Sequence, residues 1–524
     1  MKRITGVVRM ALALAVIPAA AGAQEGGDSG AFVIRRGNDT VAVESFRRSA
    51  GEVSGELGVK NAVRVVYTLR TGGAQTVTGV EMRAWAPGAA DTMPPLQHVT
   101  VAWAGDSAMV VIEGGGQRMA QAVRGATGAV PIVNPSAVVI EQVLMRARQA
   151  HADSVAVPVF VIGSTQVVQS TVVFHGDSAT LTIGPVVHAA VDRAGRLMGA
   201  TIPSQNLVIT RTATASAALA PPDYAAPAGA PYTAEEVRVP HPAGFRLAGT
   251  LTLPRERRGR IPAVVTLTGS GAQDRDEAIP GVAGYRPFRQ VADTLGRRGI
   301  AVLRMDDRGF GASEGNGAAA TTRDFATDAQ AAVAYLRSRP EIDPARIALV
   351  GHSEGGIIAP IVAAADPRVR AVVLMAGTSR SGRRILEYQI RFPLDRDSSL
   401  TAAQRDSAYR AGWAEVDSLG ARMPWLPYFI GYDPLPTARR VRQPVLIVQG
   451  GTDRQVTPDQ ASELEAAIRG AGNRDVTMRV FPQMNHLFIH DPDGMPAGYG
   501  RLPNRRVEPE VLGVIADWLA AKLR

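Results

Sequence analysis

The 524-residue chain contains no cysteine. That absence removes disulfides, thiolate metal sites, a cysteine nucleophile and a lipidated N-terminal cysteine together. Lysine is scarce as well: Lys2, Lys60 and Lys522 are the only ones, so the net charge of +9 is carried by arginine. Aromatic residues make up 5% of the chain, and the arginines are scattered rather than clustered with them. No nucleic-acid partner is implied by that pattern. No apolar run is long enough to cross a bilayer. What remains is a globular composition, and a length that calls for two or three cores rather than one.

Residues 1–23 read as a signal peptide. Lys2, Arg3 and Arg9 supply a basic start, residues 10–17 a short apolar core, and Ala21-Gly22-Ala23 a small-residue cleavage pattern. The expectation is an exported bacterial protein, periplasmic or extracellular, with no stable membrane insertion once the peptide is removed. Residues 24–212 carry short Val-, Thr- and aromatic-rich runs such as "AVRVVYTLRT" and "TVVFHGDSATLTIG", separated by turn signals. They predict an antiparallel β-rich domain, an open barrel or sandwich, of unassigned role. One helix is expected over "NPSAVVIEQVLMRARQA", capped by Asn134 with Pro135 in its first turn. His98, His151, His175 and His188 are isolated here and read as structural.

Residues 213–231 are an Ala/Pro-rich linker. In residues 232–524 the texture changes to continuous apolar strands alternating with helices: "AVVTLTG", "IAVLRMD", "IALVGHS", "AVVLMAG", "PVLIVQG" and "VTMRVF". Such strands are buried on both faces, which predicts the α/β class, a doubly wound and mostly parallel sheet. An insertion at about 380–438, with Trp413, Trp425, Tyr428 and Phe429, reads as a helical cap.

Ligands in such a sheet lie at the carboxyl ends of the strands. Gly351-His352-Ser353-Glu354-Gly355 follows one strand and opens a helix, the context in which G-x-S-x-G holds a nucleophile on a tight elbow. A serine hydroxyl needs a base, and the base an orienting acid. His486 follows the last strand and Asp453 the strand before it, in the chain order Ser, acid, His. His490 is expected at the surface, Asp459 as a helix cap or surface charge. The oxyanion hole calls for two backbone N–H groups; Glu354, directly after the nucleophile, and Ser270, in "LTGSGAQDRDE", are the candidates.

On these residues the C-terminal part resembles the α/β-hydrolases, and more narrowly bacterial serine esterases with a "GSGxxDRD" loop, here residues 269–276. "DxRGxGxS" is met at 306–313 with Asp307 inserted, and "GHSEGG", "YDP" at 432–434 and "GxxDxxV" at 450–456 also fit. Many relatives have His-Gly in the oxyanion loop; Thr268-Gly269 stands here, so a histidine side chain there has no counterpart. The resemblance implies Ser353, Asp453 and His486 as the triad and a cap that shapes the substrate pocket, with Trp425 and Phe429 as substrate-binding candidates. Asp274, Arg275, Asp276, Asp306 and Arg308 read as ion pairs holding loops.

The expectation is hydrolysis of small-molecule carboxylic esters through an acyl-enzyme, with no metal and no organic cofactor. Peptidase or aminopeptidase and thioesterase activities are the alternatives, because the same triad serves amides and thioesters. Asp395, Asp397, Glu415 and Asp417 would be the acids available to an aminopeptidase. A non-catalytic binding protein is less favoured because all three triad residues are in place, and a carrier role for the β-rich domain is a third reading. Oligomeric state is left open.

Overall fold

The computed structural model describes residues 28–524 apart from 37–38, 61–62, 86–94, 115–116, 217–222, 280–281, 283 and 422. The expected signal peptide lies outside the described residues.

The β-rich segments pair into one 15-stranded sheet running from Asp28–Arg36 to Leu207–Thr212. Its ladders are antiparallel except that Val130–Ile132 lies parallel to Ser154–Val161. The helix Ala137–Arg148 connects those two strands. It starts at Ser136, whose hydroxyl accepts from the Val139 N–H at 3.2 Å, and not at Asn134 as the sequence suggested. The reason is tertiary. The fully buried Glu44 carboxylate accepts from Ser136 Oγ at 2.6 Å and from the N–H groups of Ala137 and Val138 at 2.6 and 3.0 Å. The first-turn donors find those acceptors only if the helix begins there. One turn on, Glu141 pairs with Arg48 and, at 2.7 Å, with Arg211. Trp103 meets Phe160 with ring centroids 6.3 Å apart, although their strands are third from one edge and second from the other. The sheet is therefore curled, with its apolar face turned inward onto the helix.

The second body opens with a hairpin, β1 (Tyr232–Pro240) and β2 (Arg246–Pro254), followed by β3 (Ile261–Leu267), β4 (Ala301–Met305), β5 (Ile342–His352), β6 (Ala371–Met375), β7 (Val445–Gly450) and β8 (Val476–Phe481). Their order in the sheet is β1-β2-β4-β3-β5-β6-β7-β8, parallel from β4 onward. All residues of β6 and β7 are buried, as continuous apolar runs require. Neighbouring residues serve opposite faces. Val265, Leu349 and Ile447 pack under α2 (Thr322–Ser338), α3 (Gly355–Ala365) and the later helix Asp459–Gly470. Val264, Val350 and Val448 pack under α1 (Pro287–Gly296) and the last helix, Pro509–Lys522. Between β6 and β7 the chain leaves the sheet to form cap helices α4 (Gly382–Arg396), α5 (Ala402–Gly420), α6 (Trp425–Gly431) and α7 (Leu435–Ala438).

Candidate active site

The backbone turns sharply after β5. Ser353 stands there at φ +54°, and its N–H donates to Met375 O at 2.9 Å. A Cβ on Gly351 would overlap Gly355 O, and one on Gly355 would overlap Leu267 O, so both positions require glycine. Among the described residues of this body, three more non-glycine residues have positive φ: Glu277 at +57°, Ala376 at +49° and Phe488 at +55°. Glu277 shares a pocket with Ser353, Ala376 follows directly on β6, and Phe488 lies two residues past His486. Strained backbone of this kind persists where surrounding packing holds it, characteristically at functional sites.

The loops after β7 and β8 bring Asp453 and His486 together. Asp453 Oδ2 accepts from His486 Nδ1 at 2.8 Å and from Gln449 Nε2 at 3.0 Å. Its Oδ1 accepts the N–H groups of Gln455 and Val456 at 2.8 and 2.9 Å. The buried carboxylate is thus fixed from both sides, and His486 keeps its Nε2 for the pocket it shares with Ser353. The loop after β3 closes on the serine from the other side: a Cβ on Gly269 would lie 3.2 Å from Ser353 Cβ. Among the described residues, no hydrogen bond uses the N–H of Ser270 or of Glu354. Both donors are available beside the nucleophile.

Beneath these groups lies a pair that the sequence reading missed. His352 Nδ1 is 2.7 Å from Glu277 Oε1, and its Nε2 is 3.0 Å from the carbonyl oxygen of His486. A carbonyl only accepts, so Nε2 carries a proton, and the carboxylate beside Nδ1 favours the form in which that nitrogen is protonated as well. The same Oε1 accepts the Gly269 N–H at 2.7 Å. One carboxylate therefore connects the oxyanion loop, the elbow and, through His352, the backbone of His486. Burial pulls the His352 pKa down, but the adjacent Glu277 carboxylate more than offsets this, and the net shift is upward. In the sequence Glu277 is the residue after "DRD" and His352 the first variable position of G-x-S-x-G; nothing there says that they meet.

Glu354 contributes a side chain as well as a backbone donor. Its carboxyl accepts from Trp425 Nε1 and from Thr322 Oγ1, both at 2.7 Å, so the cap is tied to the elbow. Burial raises its pKa, while those hydrogen bonds and one from Ser270 oppose the rise. A pocket of about 940 Å³, counted to its open mouth, is lined by Ser270, Ser353, Glu354 and His486 on the sheet side and by Trp425 and Phe429 on the cap side. The two cap rings stack at 5.0 Å. Phe429 is buried because its ring packs against Gly382, where any Cβ would collide with it.

Other candidates lie elsewhere. His490 is exposed and bonds Gln483 Oε1 at 2.8 Å, and Asp459 pairs with Arg380. None of Asp395, Asp397, Glu415 and Asp417 lines the pocket. Arg275 pairs with Asp306 at 2.8 Å and Arg308 with Asp328 at 2.8 Å, while Arg304 pairs with Asp276, so these charges brace the loops. Among the described residues, no cluster of His, Asp and Glu is arranged to hold a metal ion.

Residues 283–393 match the family described as "Serine aminopeptidase, S33". Esterase EstD of Thermotoga maritima is 28% identical over 280 residues, 52% of this chain and 65% of its own length. An uncharacterized protein of Mycobacterium tuberculosis is 29% identical over 255 residues, 48% of this chain and 70% of that protein. Among solved structures, an esterase of Pyrococcus furiosus is similar at a TM-score of 0.40 and 17% identity, covering 58% of this chain and 97% of its own. The family match and the Thermotoga relative support the α/β-hydrolase superfamily. They support a hydrolase.

Proposed function

We propose that the protein is an exported serine hydrolase that cleaves carboxylic esters through an acyl-enzyme. The observation that carries the reading is the Asp453–His486 hydrogen bond of 2.8 Å facing, across one pocket, a serine held at φ +54°. Ser353 Oγ attacks the ester carbonyl while His486 Nε2 removes its proton. Asp453 holds the opposite ring nitrogen and stabilises the imidazolium that forms. The N–H groups of Ser270 and Glu354 receive the oxyanion. His486 then protonates the leaving alcohol, and water repeats the sequence to release the acid.

An ester is favoured over a peptide amine terminus by the walls of the pocket. Its acids, Glu277 and Glu354, are buried and each has its Oε1 engaged, by His352 and Gly269 and by Thr322 and Trp425, so neither stands as an exposed carboxylate for an ammonium group. The esterase name of the Thermotoga relative agrees with this choice. Export rests on the pattern of residues 1–23. The test is a fluorophosphonate label mapped by mass spectrometry, alongside nitrophenyl esters and amino-acid anilides as substrates. Label on Ser353 with turnover of the esters is expected. Turnover of anilides alone would overturn the ester assignment, and label on another serine would overturn the nucleophile. N-terminal sequencing of the mature protein tests export, with Gln24 as the expected first residue.

A further inference from the structure

The curled sheet of the N-terminal body leaves a space that its own side chains do not fill. A recess of about 700 Å³, counted to its open rim, lies between the start of the helix Ala137–Arg148 and the inner face of the sheet. Its walls are aliphatic, chiefly Ile34, Ile132, Ile140, Ile183, Ile202 and Ile209, and no lining residue is charged or aromatic. Protein interiors are normally packed to the density of organic crystals, with few voids larger than a water molecule. The enclosed part of the recess is about 100 Å³, the rest being open to its rim, and its aliphatic lining suits an apolar chain. Elsewhere the core of this body is packed by Val, Leu, Ile and Ala side chains, with Phe32 stacked on Phe46 at 5.3 Å. The opening is therefore local to one end.

The rim is polar. Asn134 and Gln205 stand exposed there, and Val161, half-exposed, marks the mouth. Ser136 also lines the recess but is committed to Glu44 and Val139. The strand Asp28–Arg36 adds a cation. Ile34 lies opposite Ile209 and Arg36 opposite Leu207, so Arg36 ends the inward-facing row that lines the recess. Its Nε donates to Gln205 O at 3.3 Å, at the rim itself. We propose that this recess binds a free aliphatic carboxylic acid, with part of the chain inside and the carboxylate at Arg36. A guanidinium beside a recess whose described lining residues are uncharged suits a carboxylate head group. The inference is independent of the triad and of the ester reading.

The test uses the full-length protein titrated with 11-(dansylamino)undecanoic acid, followed by displacement with saturated fatty acids of increasing length. Saturable binding is expected, with affinity rising roughly three- to fourfold per methylene until the chain outgrows the recess. Val161→Phe and Ile183→Trp should each weaken binding at least tenfold. Arg36→Gln should weaken the acid but not the alcohol of equal length. Prior phosphonylation of the nucleophilic serine should leave binding unchanged. A diazirine-bearing fatty acid on the unmodified protein should label peptides within 130–140 or 183–209, so the test does not depend on how any variant folds. Absence of saturable binding, loss of binding on phosphonylation, or photolabel confined to the cap at 380–438 would each overturn the proposal. Stronger competition by phosphatidylcholine vesicles than by the free acid of equal chain length would overturn the choice of ligand.

Discussion

In the N-terminal body the buried carboxylates Glu44 and Glu141 direct their hydrogen bonds to fixing one helix against one sheet. In the C-terminal body Glu277, Glu354 and Asp453 join loops that leave four different strands and the cap. Strain divides in the same way. Ala74, His151 and Asn206 take positive φ in exposed turns of the first body, whereas in the second Glu277 and Ser353 line one pocket, and Phe488 follows two residues after His486, which lines it too. Buried charge alone does not identify a functional site, because a helix cap deep in a sheet produces it too. The distinguishing combination is buried charge, strained backbone and unused N–H donors, all facing one open pocket.

The sharpest way to break that contrast is Ser353→Ala. Removing the nucleophile should abolish fluorophosphonate labelling and lower kcat by roughly five to six orders of magnitude, with Asp453→Asn costing about 10⁴-fold. A folded Ser353→Ala protein that kept most of its turnover would place the chemistry elsewhere.

Glu277→Gln comes next. It keeps the shape but removes the charge that holds His352, the oxyanion loop and the His486 backbone in register, so kcat should fall about 10- to 100-fold with the fold intact. Its stability signature has a defined sign. The folded-state pKa of His352 lies above its ordinary value of 6.5. The pair therefore adds stability that is fully present below about pH 6.5 and is lost as pH rises through the folded pKa. The Tm gap between the native protein and Glu277→Gln should be widest in acid and narrow with rising pH. A gap that widens with pH would show that His352 is not charged by this carboxylate.

Glu44→Ala probes the other body. It leaves the donors of Ser136, Ala137 and Val138 buried without their acceptor, and should cost about 2–4 kcal/mol in chemical denaturation while kcat on a small soluble ester stays unchanged. Loss of turnover in the folded variant would mean that the two bodies are not separable in function. The smallest effect is expected for Trp425→Phe, which keeps an aromatic wall but loses the bond to Glu354. It should shift acyl chain-length preference up to about tenfold in kcat/KM and leave acetyl esters nearly unaffected. Equal loss at every chain length would make Trp425 a packing residue only.

Much of this arrangement is legible in the sequence because it is local. Continuous apolar runs mark the parallel strands, and the elbow glycines stand next to the residues they would otherwise strike. The positions of Asp453 and His486 follow from the ends of the last two strands. What is not legible comes from contacts made across the chain. Glu277 lies 75 residues from His352, and Glu44 lies 92 from Ser136. Local pattern placed the helix cap at Asn134, and a distant carboxylate moved it to Ser136. Alternating patterns likewise indicate that strands exist in the first body without telling which strand neighbours which.

That neighbour relation has a topological consequence. From edge to edge the sheet reads Val130–Ile132 through Leu207–Thr212, then Asp28–Arg36 through Gln117–Val123. The body is thus a circular permutant of a sequential chain of strands: its natural ends are the two edges, while the actual chain enters and leaves at the middle. A flat sheet of 15 strands would hold its edges roughly 65 Å apart at about 4.8 Å per strand. The chain passes from Val123 on one edge to Val130 on the other, a reach of at most about 25 Å. Covalent connectivity alone therefore forces the sheet into a near-ring with a lumen, and the helix and the aliphatic recess are what that lumen contains.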